Sequence, residues 1–193
     1  MSEIVRGVKI QQSKGDMMSN FIPEHFAIEE LIPPIPLLPK PMQQVYASNP
    51  QKLFRCFDQL ALVTLDLLRK RYGSCMVNNW KAFSEADALD LSKAHIFRFA
   101  GYRPWECEEG ATLSEHRLFR AFDCKFTHVT PTEIWADMQA KTNAPEFEHI
   151  QRIEAFDGMS WFHFDRGQHE RYGEAVWVVG VKGNRAGLGE YIR

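Results

Sequence analysis

Two short segments of the chain alternate between apolar and polar residues, and a period of two is typical of β-strands. The segments are residues 121–126 and 160–165. Their apolar faces are formed by Phe122, Cys124, Phe126, Phe162 and Phe164. The opposite faces carry Asp123, His163 and Asp165. Because the apolar faces need a hydrophobic core, we expect the polar faces to border a cleft.

The remaining periodic segments predict an α+β fold. Helical spacing predicts one helix over residues 53–71, and the sequence Thr130-Pro131-Thr132-Glu133 is a strong helix start for a second helix ending near residue 142. Further strands are predicted over residues 74–79, 94–102, 150–156 and 175–181. The predicted architecture is therefore a small, mainly antiparallel sheet packed with helices.

The first 50 residues differ from the rest of the chain. Residues 32–41 contain five prolines in ten positions. Proline fixes φ and lacks an N–H, so this apolar stretch is predicted to be extended. We expect residues 1–50 to form a proline-rich arm and residues 51–193 to form the α+β domain. The arm either covers the surface of its own domain or contacts an assembly partner.

Composition limits the classes of function. The chain has 193 residues, 45% of them hydrophobic, and a net charge of −2, so one core-forming domain is expected and nucleic acid is not an expected partner. The N-terminus lacks a signal-peptide pattern, and no apolar run is long enough for a membrane span, so synthesis in a cytoplasm is expected. The four cysteines form no C-x-x-C pair, which argues against a structural zinc knuckle and favours buried free thiols.

Three residues could form a metal site if the fold brings them together. His116 and Asp123 lie seven positions apart, and His163 follows on a predicted strand. Two imidazoles and one carboxylate, with the fourth position left to water, are the ligands of a catalytic zinc site. A hydrolase that uses metal-activated water is the corresponding prediction. Spacing alone does not establish that the three side chains converge.

The same residues carry a resemblance to a known family. The pattern Ser-x-His-x-x-x-x-Ala-x-Asp at 114–123 and Trp-x-His-x-Asp at 161–165 resembles the zinc D-Ala-D-Ala carboxypeptidases, which share a fold with the Hedgehog signalling domain and belong with the LAS-type peptidoglycan peptidases. The similarity covers roughly residues 24–166 and is closest to bacteriophage members. Further similar segments are Gly101-Tyr102-Arg103, residues 25–31, residues 68–73 and Asn78-Asn79-Trp80.

This resemblance implies a set of roles. His116, Asp123 and His163 would be the zinc ligands, and Arg103 would bind the substrate carboxylate or stabilise the oxyanion. Asp165 would orient an imidazole from outside the ligand set. The implied substrate is a peptide of peptidoglycan, and a phage-encoded metallopeptidase would degrade the cell wall during entry or lysis, acting from the virion or on the host wall.

The chain departs from the family pattern at three positions. Phe119 stands where the family usually has Gly, and Ala100 where it usually has Ser. Ser160 stands where many members carry the acid that acts as general base. Asp157, six residues before His163 as in Hedgehog-type members, is one substitute, although it also belongs to an ordinary Asp-Gly turn. Glu154 on the preceding predicted strand is the other.

These departures leave two further hypotheses. The protein could be a phage virion or assembly protein that retains a catalytically degenerate peptidase fold and contacts other virion proteins through its arm. A Hedgehog-like binding module with a structural zinc ion is the third reading, and a metal fully coordinated by protein would favour it.

Overall fold

The computed structural model describes residues 4–5, 8–9, 20–156, 158–167, 175–180 and 190–192. Its strands are β1 (Ile4–Val5), β2 (Val8–Lys9), β3 (Cys75–Met76), β4 (Ala121–Phe126), β5 (Arg152–Glu154), β6 (Phe162–Asp165), β7 (Val176–Val179) and β8 (Glu190–Ile192). Its α-helices are α1 (Lys40–Ser48), α2 (Gln59–Tyr72), α3 (Glu85–Leu89) and α4 (Pro131–Ala140). In this part of the chain β1 pairs with β2, and the other six strands form one sheet in the order β3-β4-β6-β5-β7-β8.

The main sheet is mixed but mostly antiparallel, which confirms the α+β prediction. Only the β5–β7 pair is parallel among the described strand pairs. Phe122, Phe162 and Phe164 are fully buried on one face of the sheet, as their alternation predicted. That face packs against α2 in a single hydrophobic core, and burial of such side chains stabilises a fold by roughly 1.5–3 kcal/mol each.

Strand register places three polar residues in one row on the other face. Asp123 of β4 pairs with His163 of β6, and His163 pairs on its other side with Glu154 of β5. Residues directly opposite each other on neighbouring strands point to the same face of a sheet. The sheet therefore presents two carboxylates and one imidazole side by side.

Local chemistry sets the bounds of the two longest helices. Asp58 caps α2 by accepting a hydrogen bond from the backbone N–H of Ala61 at 2.9 Å, and Gly73 ends α2 with a φ of 83°. Thr130 and Glu133 form the predicted capping box at the start of α4. The predicted start of α4 is thus confirmed.

Two predicted elements differ from the structure. The helix predicted over 53–71 is a 3-10 helix (Pro50–Cys56) followed by α2, because Asp58 starts a new helix in the middle of the apolar pattern. No strand forms within residues 94–102, which consist of turns and bends. The buried Arg98 side chain donates hydrogen bonds to backbone carbonyls of Asp87, Ala88, Asp90, Lys93 and Ile96. Arg98 thereby supplies hydrogen-bond donors to these five backbone carbonyl groups, although its own segment pairs with no strand among the described residues.

The proline-rich stretch is not uniformly extended, contrary to the prediction. It contains a 3-10 helix over Ile35–Leu37, and α1 begins within it. Prolines occupy the first turns of these helices, where the missing N–H has no helical acceptor to lose. The side chains of Leu31, Ile32 and Leu38 are buried in the same core as α2. None of the helices in the described residues is long and apolar enough to span a membrane.

Candidate metal centre

The structure brings His116, Asp123 and His163 together. His116 lies on a 3-10 helix (Glu115–Leu118) just before β4, and the other two lie on paired strands. His163 Nδ1 is 2.7 Å from Asp123 Oδ1, and His116 Nε2 is 3.4 Å from Asp123 Oδ2. One donor atom from each residue lies within 4.8 Å of the other two, so this group could hold a metal ion.

The second nitrogen of each imidazole ring is already engaged. His116 Nδ1 donates to the carbonyl oxygen of Gly101 at 2.8 Å, and His163 Nε2 lies 3.1 Å from Asp165 Oδ2. These contacts leave His116 Nε2 and His163 Nδ1 directed at the same carboxylate. Histidines that ligate a metal almost always have the other ring N–H bound to a carbonyl or carboxylate in this way. The donor set and its supports therefore fit a bound cation.

Asp165 is held firmly behind His163. Its side chain is fully buried and accepts hydrogen bonds from Arg152 Nε at 2.6 Å and from the Gly167 N–H at 2.8 Å. Burial alone would raise the pKa of Asp165, but the contacts with His163 and Arg152 outweigh it and keep that pKa below its usual value. Asp165 is thus an anion that fixes the orientation of the imidazole.

The electrostatics of the group also favour a cation. Burial lowers the pKa of His163, but the hydrogen bonds with Asp123 and Asp165 outweigh burial and raise that pKa to about 10. Burial would raise the pKa of Asp123, yet both histidines hold it well below its usual value. Asp123 therefore stays ionised, and a metal ion that binds here must displace a proton from His163.

The group borders a cavity of about 340 Å³. Other lining residues are Arg103, Gly110, Ala111, Leu113, Ser114, Glu115, Arg152, Glu154 and Trp161. Both His116 and His163 are only 3% exposed, while about a fifth of the Asp123 side chain is exposed. The site is therefore a protected group of candidate metal ligands that borders a pocket of ligand size.

Arg103 lines this cavity, and no carboxylate among the described residues pairs with it. The guanidinium makes only long hydrogen bonds, each of 3.4 Å, to Ser114 Oγ and to the Phe99 carbonyl, and its Nε has no partner within the described residues. None of the salt bridges in the described part of the chain involves Arg103. The guanidinium thus has donor capacity left for a bound anion.

Of the two candidates for the general base, the structure describes the position of Glu154 but not that of Asp157. Glu154 lines the cavity and is the cross-strand neighbour of His163. Asp157 lies outside the described residues. Of the two candidates, Glu154 is therefore the one whose position beside His163 at the cavity is described.

Two residues at the site were not singled out from the sequence. Arg152 shares a sheet face with Glu154, and a period of two along the predicted strand 150–156 could have revealed it. Glu115 precedes His116 and is buried, and burial together with the Asp165 carboxylate raises the pKa of Glu115. Glu115 lies on a short 3-10 helix, and such a helix produces no periodic pattern in the sequence that would have revealed this residue.

Phe119 occupies the turn after His116 in a left-handed conformation, with φ 60° and ψ 30°. This region favours glycine, which is the usual residue of the resembled family here. The Phe119 ring stacks on Tyr102 at a centroid distance of 3.9 Å and contacts the edge of Phe57 at 5.2 Å. These ring contacts pack the bulky side chain of Phe119 in a backbone conformation that is strained for a residue other than glycine.

Gly101 is needed for the position of His116. A Cβ at residue 101 would lie 2.2 Å from the Leu31 carbonyl oxygen, which accepts the Tyr102 N–H at 2.7 Å. We expect Gly101→Ala to destabilise the fold by about 1–3 kcal/mol and to weaken metal binding, since the Gly101 carbonyl orients His116. Urea unfolding and metal titration measure both effects. Gly73→Ala, which has a positive φ but no close neighbour, is the control that should leave metal affinity intact.

Asp165→Asn is expected to lower metal affinity by about 10- to 100-fold, because the amide is a weaker support for the His163 imidazole than the carboxylate. Competition with a chromophoric chelator measures the affinity. Asp137→Asn is a matched control, since Asp137 also accepts from an arginine, Arg71, but lies outside the metal group. Equal affinities of the Asp165 variant and the unmodified protein would contradict the assigned role.

A second group of possible ligands consists of Glu24, His25 and Asp66. Glu24 and His25 are exposed, and His25 Nδ1 and its backbone N–H both lie 3.0 Å from Asp66 Oδ1. An ordinary His–Asp contact at a chain turn accounts for this arrangement.

No protein-family model, curated protein or solved structure matches this chain. The family resemblance therefore depends on the sequence motifs alone, and the chemistry of the site depends on its geometry.

Proposed function

We propose that this protein is a zinc-dependent peptidase that hydrolyses peptide bonds of peptidoglycan. The observation that carries the proposal is the pair of buried histidines, each with one nitrogen held by an acceptor and the other aimed at Asp123. The resemblance of the motifs to phage-type peptidoglycan peptidases supports the choice of substrate.

The ligand set favours zinc in a catalytic role. Two imidazoles and one carboxylate are borderline donors that suit zinc, and three protein ligands leave a fourth position open. The cavity on the exposed side of Asp123 supplies room at that position, which argues against the closed site of a structural zinc module. When bound, zinc would supply Lewis-acid activation of water and of the substrate carbonyl.

The protein side chains supply the other requirements of amide hydrolysis. Glu154 would accept a proton from the attacking water and deliver it to the leaving amine. Arg103 would bind a substrate carboxylate or the developing oxyanion through its Nη atoms, which make only long hydrogen bonds of 3.4 Å among the described residues. Asp165 and the Gly101 carbonyl would keep both imidazoles oriented throughout. Asp157 remains the alternative base that the family resemblance suggests.

Digestion of purified peptidoglycan sacculi by the zinc-loaded protein tests this function. We expect new amino groups to appear without new reducing sugar ends, and mass spectrometry of the released fragments should identify one cleaved amide bond. His116→Ala should release nothing. A protein with zinc bound at this site that leaves sacculi of several crosslink types intact would contradict the proposal.

A virion structural or assembly role without catalysis is the second candidate. Ser160 in place of the usual acid favours it, because serine cannot accept a proton at neutral pH. Recovery of the protein in stoichiometric copies from purified phage particles, combined with inactivity towards sacculi, would support this candidate. A particle-bound active enzyme would unite the two proposals, with synthesis in the host cytoplasm and action at the host wall.

A further inference from the structure

A second, smaller cavity adjoins the metal group. Its volume is about 170 Å³, and Asp123 and Trp161 border both cavities. The walls that belong to the second cavity alone are Val77, Phe97, Ala100 and Lys125. A peptide that places its scissile bond at Asp123 can therefore extend from one cavity into the other, with Arg103 in the first and Lys125 in the second.

Among the described residues, Lys125 is the one cation that lines this second cavity, whose other walls are apolar apart from Asp123. It lies two residues after Asp123 on β4, so both side chains emerge on the same sheet face. Its Nζ lies 4.1 Å from the centroid of the Phe97 ring, and no salt bridge of Lys125 occurs within the described residues.

The surroundings of Lys125 make it a binding group for an anion. A cation–π contact in a partly buried position orients the ammonium group, and Asp123, the one carboxylate that lines the same cavity among the described residues, pairs with the histidines and forms no salt bridge with Lys125. Charge pairs are stronger beside apolar walls than in open water. The volume limits the occupant to a short chain. The complementary ligand is thus a short aliphatic group that ends in a carboxylate.

We propose that this second cavity is a substrate subsite in which Lys125 binds a carboxylate of the peptide, distinct from any carboxylate bound by Arg103. The inference rests on the proposed peptidase function and adds a specificity-determining residue to it. A substrate of this enzyme then carries a carboxylate on a short chain next to the scissile bond, on the side away from Arg103.

Synthetic peptidoglycan stem peptides test this subsite with the zinc-loaded, full-length protein. One parent peptide is compared with versions in which each carboxylate is singly converted to an amide. We expect one such amide to lower kcat/KM of the unmodified protein by about 10- to 100-fold, mainly through KM, which is the range for loss of a hydrogen bond between charged groups. Conversion of a different carboxylate of the peptide to an amide should remove the contact with Arg103.

Lys125→Met removes the charge and keeps the apolar stem. We expect kcat/KM of this variant on the parent peptide to be lower by the same factor. The Lys125-specific amide should not lower it further, and zinc affinity should stay unchanged. Lys125→Gln, measured in parallel, covers the case in which the methionine variant does not fold. Lys141→Met is the control, since Lys141 lines neither cavity and pairs with Asp137 on α4.

The outcomes separate the two proposals. If the Lys125 variants cleave every peptide at the unmodified rate, the subsite is wrong and the peptidase function stands. The subsite is also wrong if they still discriminate against the same amide as the unmodified protein does. If the unmodified protein cleaves none of the peptides and no sacculi, both proposals fall.

Discussion

Asp123→Ala is expected to weaken zinc binding by roughly 10²- to 10³-fold and to remove peptidase activity. Structural zinc sites with four protein ligands bind with about 10–16 kcal/mol, so each protein ligand contributes about 2.5–4 kcal/mol. Asp123 is also the group at which both imidazoles are directed, at 2.7 and 3.4 Å. Competition with a chromophoric chelator measures the affinity, and sacculus digestion measures the activity.

The matched control is Asp87→Ala, which removes a more exposed carboxylate paired with Lys93. It should change neither the zinc affinity nor the activity. Because loss of Asp123 also leaves two buried imidazoles without their acceptor, unfolding must be measured on the same samples. A folded Asp123→Ala protein that binds zinc as tightly as the unmodified one would contradict the assignment of the metal group.

Glu154→Gln is expected to lower kcat by about 10²- to 10⁴-fold, the usual contribution of a general base. Glutamine has nearly the same shape but cannot accept the proton, so zinc affinity should stay close to that of the unmodified protein. Glu154 lies beside His163 in the cross-strand row and borders the cavity, which is the basis for this expectation. Rates of fragment release from sacculi, with zinc content measured in parallel, test it.

Asp157→Asn separates the two candidate bases. If Glu154 is the base, this variant keeps most of its activity while Glu154→Gln loses it. The reverse pattern would assign the proton transfer to Asp157. Full activity in both variants would contradict any account in which one of these two acids activates the water.

The sequence predicted the elements that depend on local chemistry. The alternation in 121–126 fixes which side chains of β4 face the core, because successive strand residues point to opposite faces. The capping box at Thr130 and Glu133 fixes the start of α4 for the same local reason. These signals involve residues close together in the chain and need no knowledge of the fold.

Strand pairing could not be derived in this way. The row formed by Asp123, His163 and Glu154 depends on the register between strands up to 40 residues apart. The strand expected over 94–102 was wrong: the segment forms turns and bends, and its buried Arg98 donates to backbone carbonyls of Asp87, Asp90 and Ile96. Tertiary contacts of this kind produce no periodic pattern in the sequence. The convergence of His116, Asp123 and His163 was therefore a hypothesis until the fold was known.

Diffraction from crystals grown with zinc, recorded on both sides of the zinc absorption edge, tests the central claim most directly. We predict one strong anomalous peak within about 2.0–2.2 Å of His116 Nε2, His163 Nδ1 and an Asp123 carboxylate oxygen, with a non-protein ligand on the cavity side. No peak at this position, or a peak only at the group formed by Glu24, His25 and Asp66, would contradict the account.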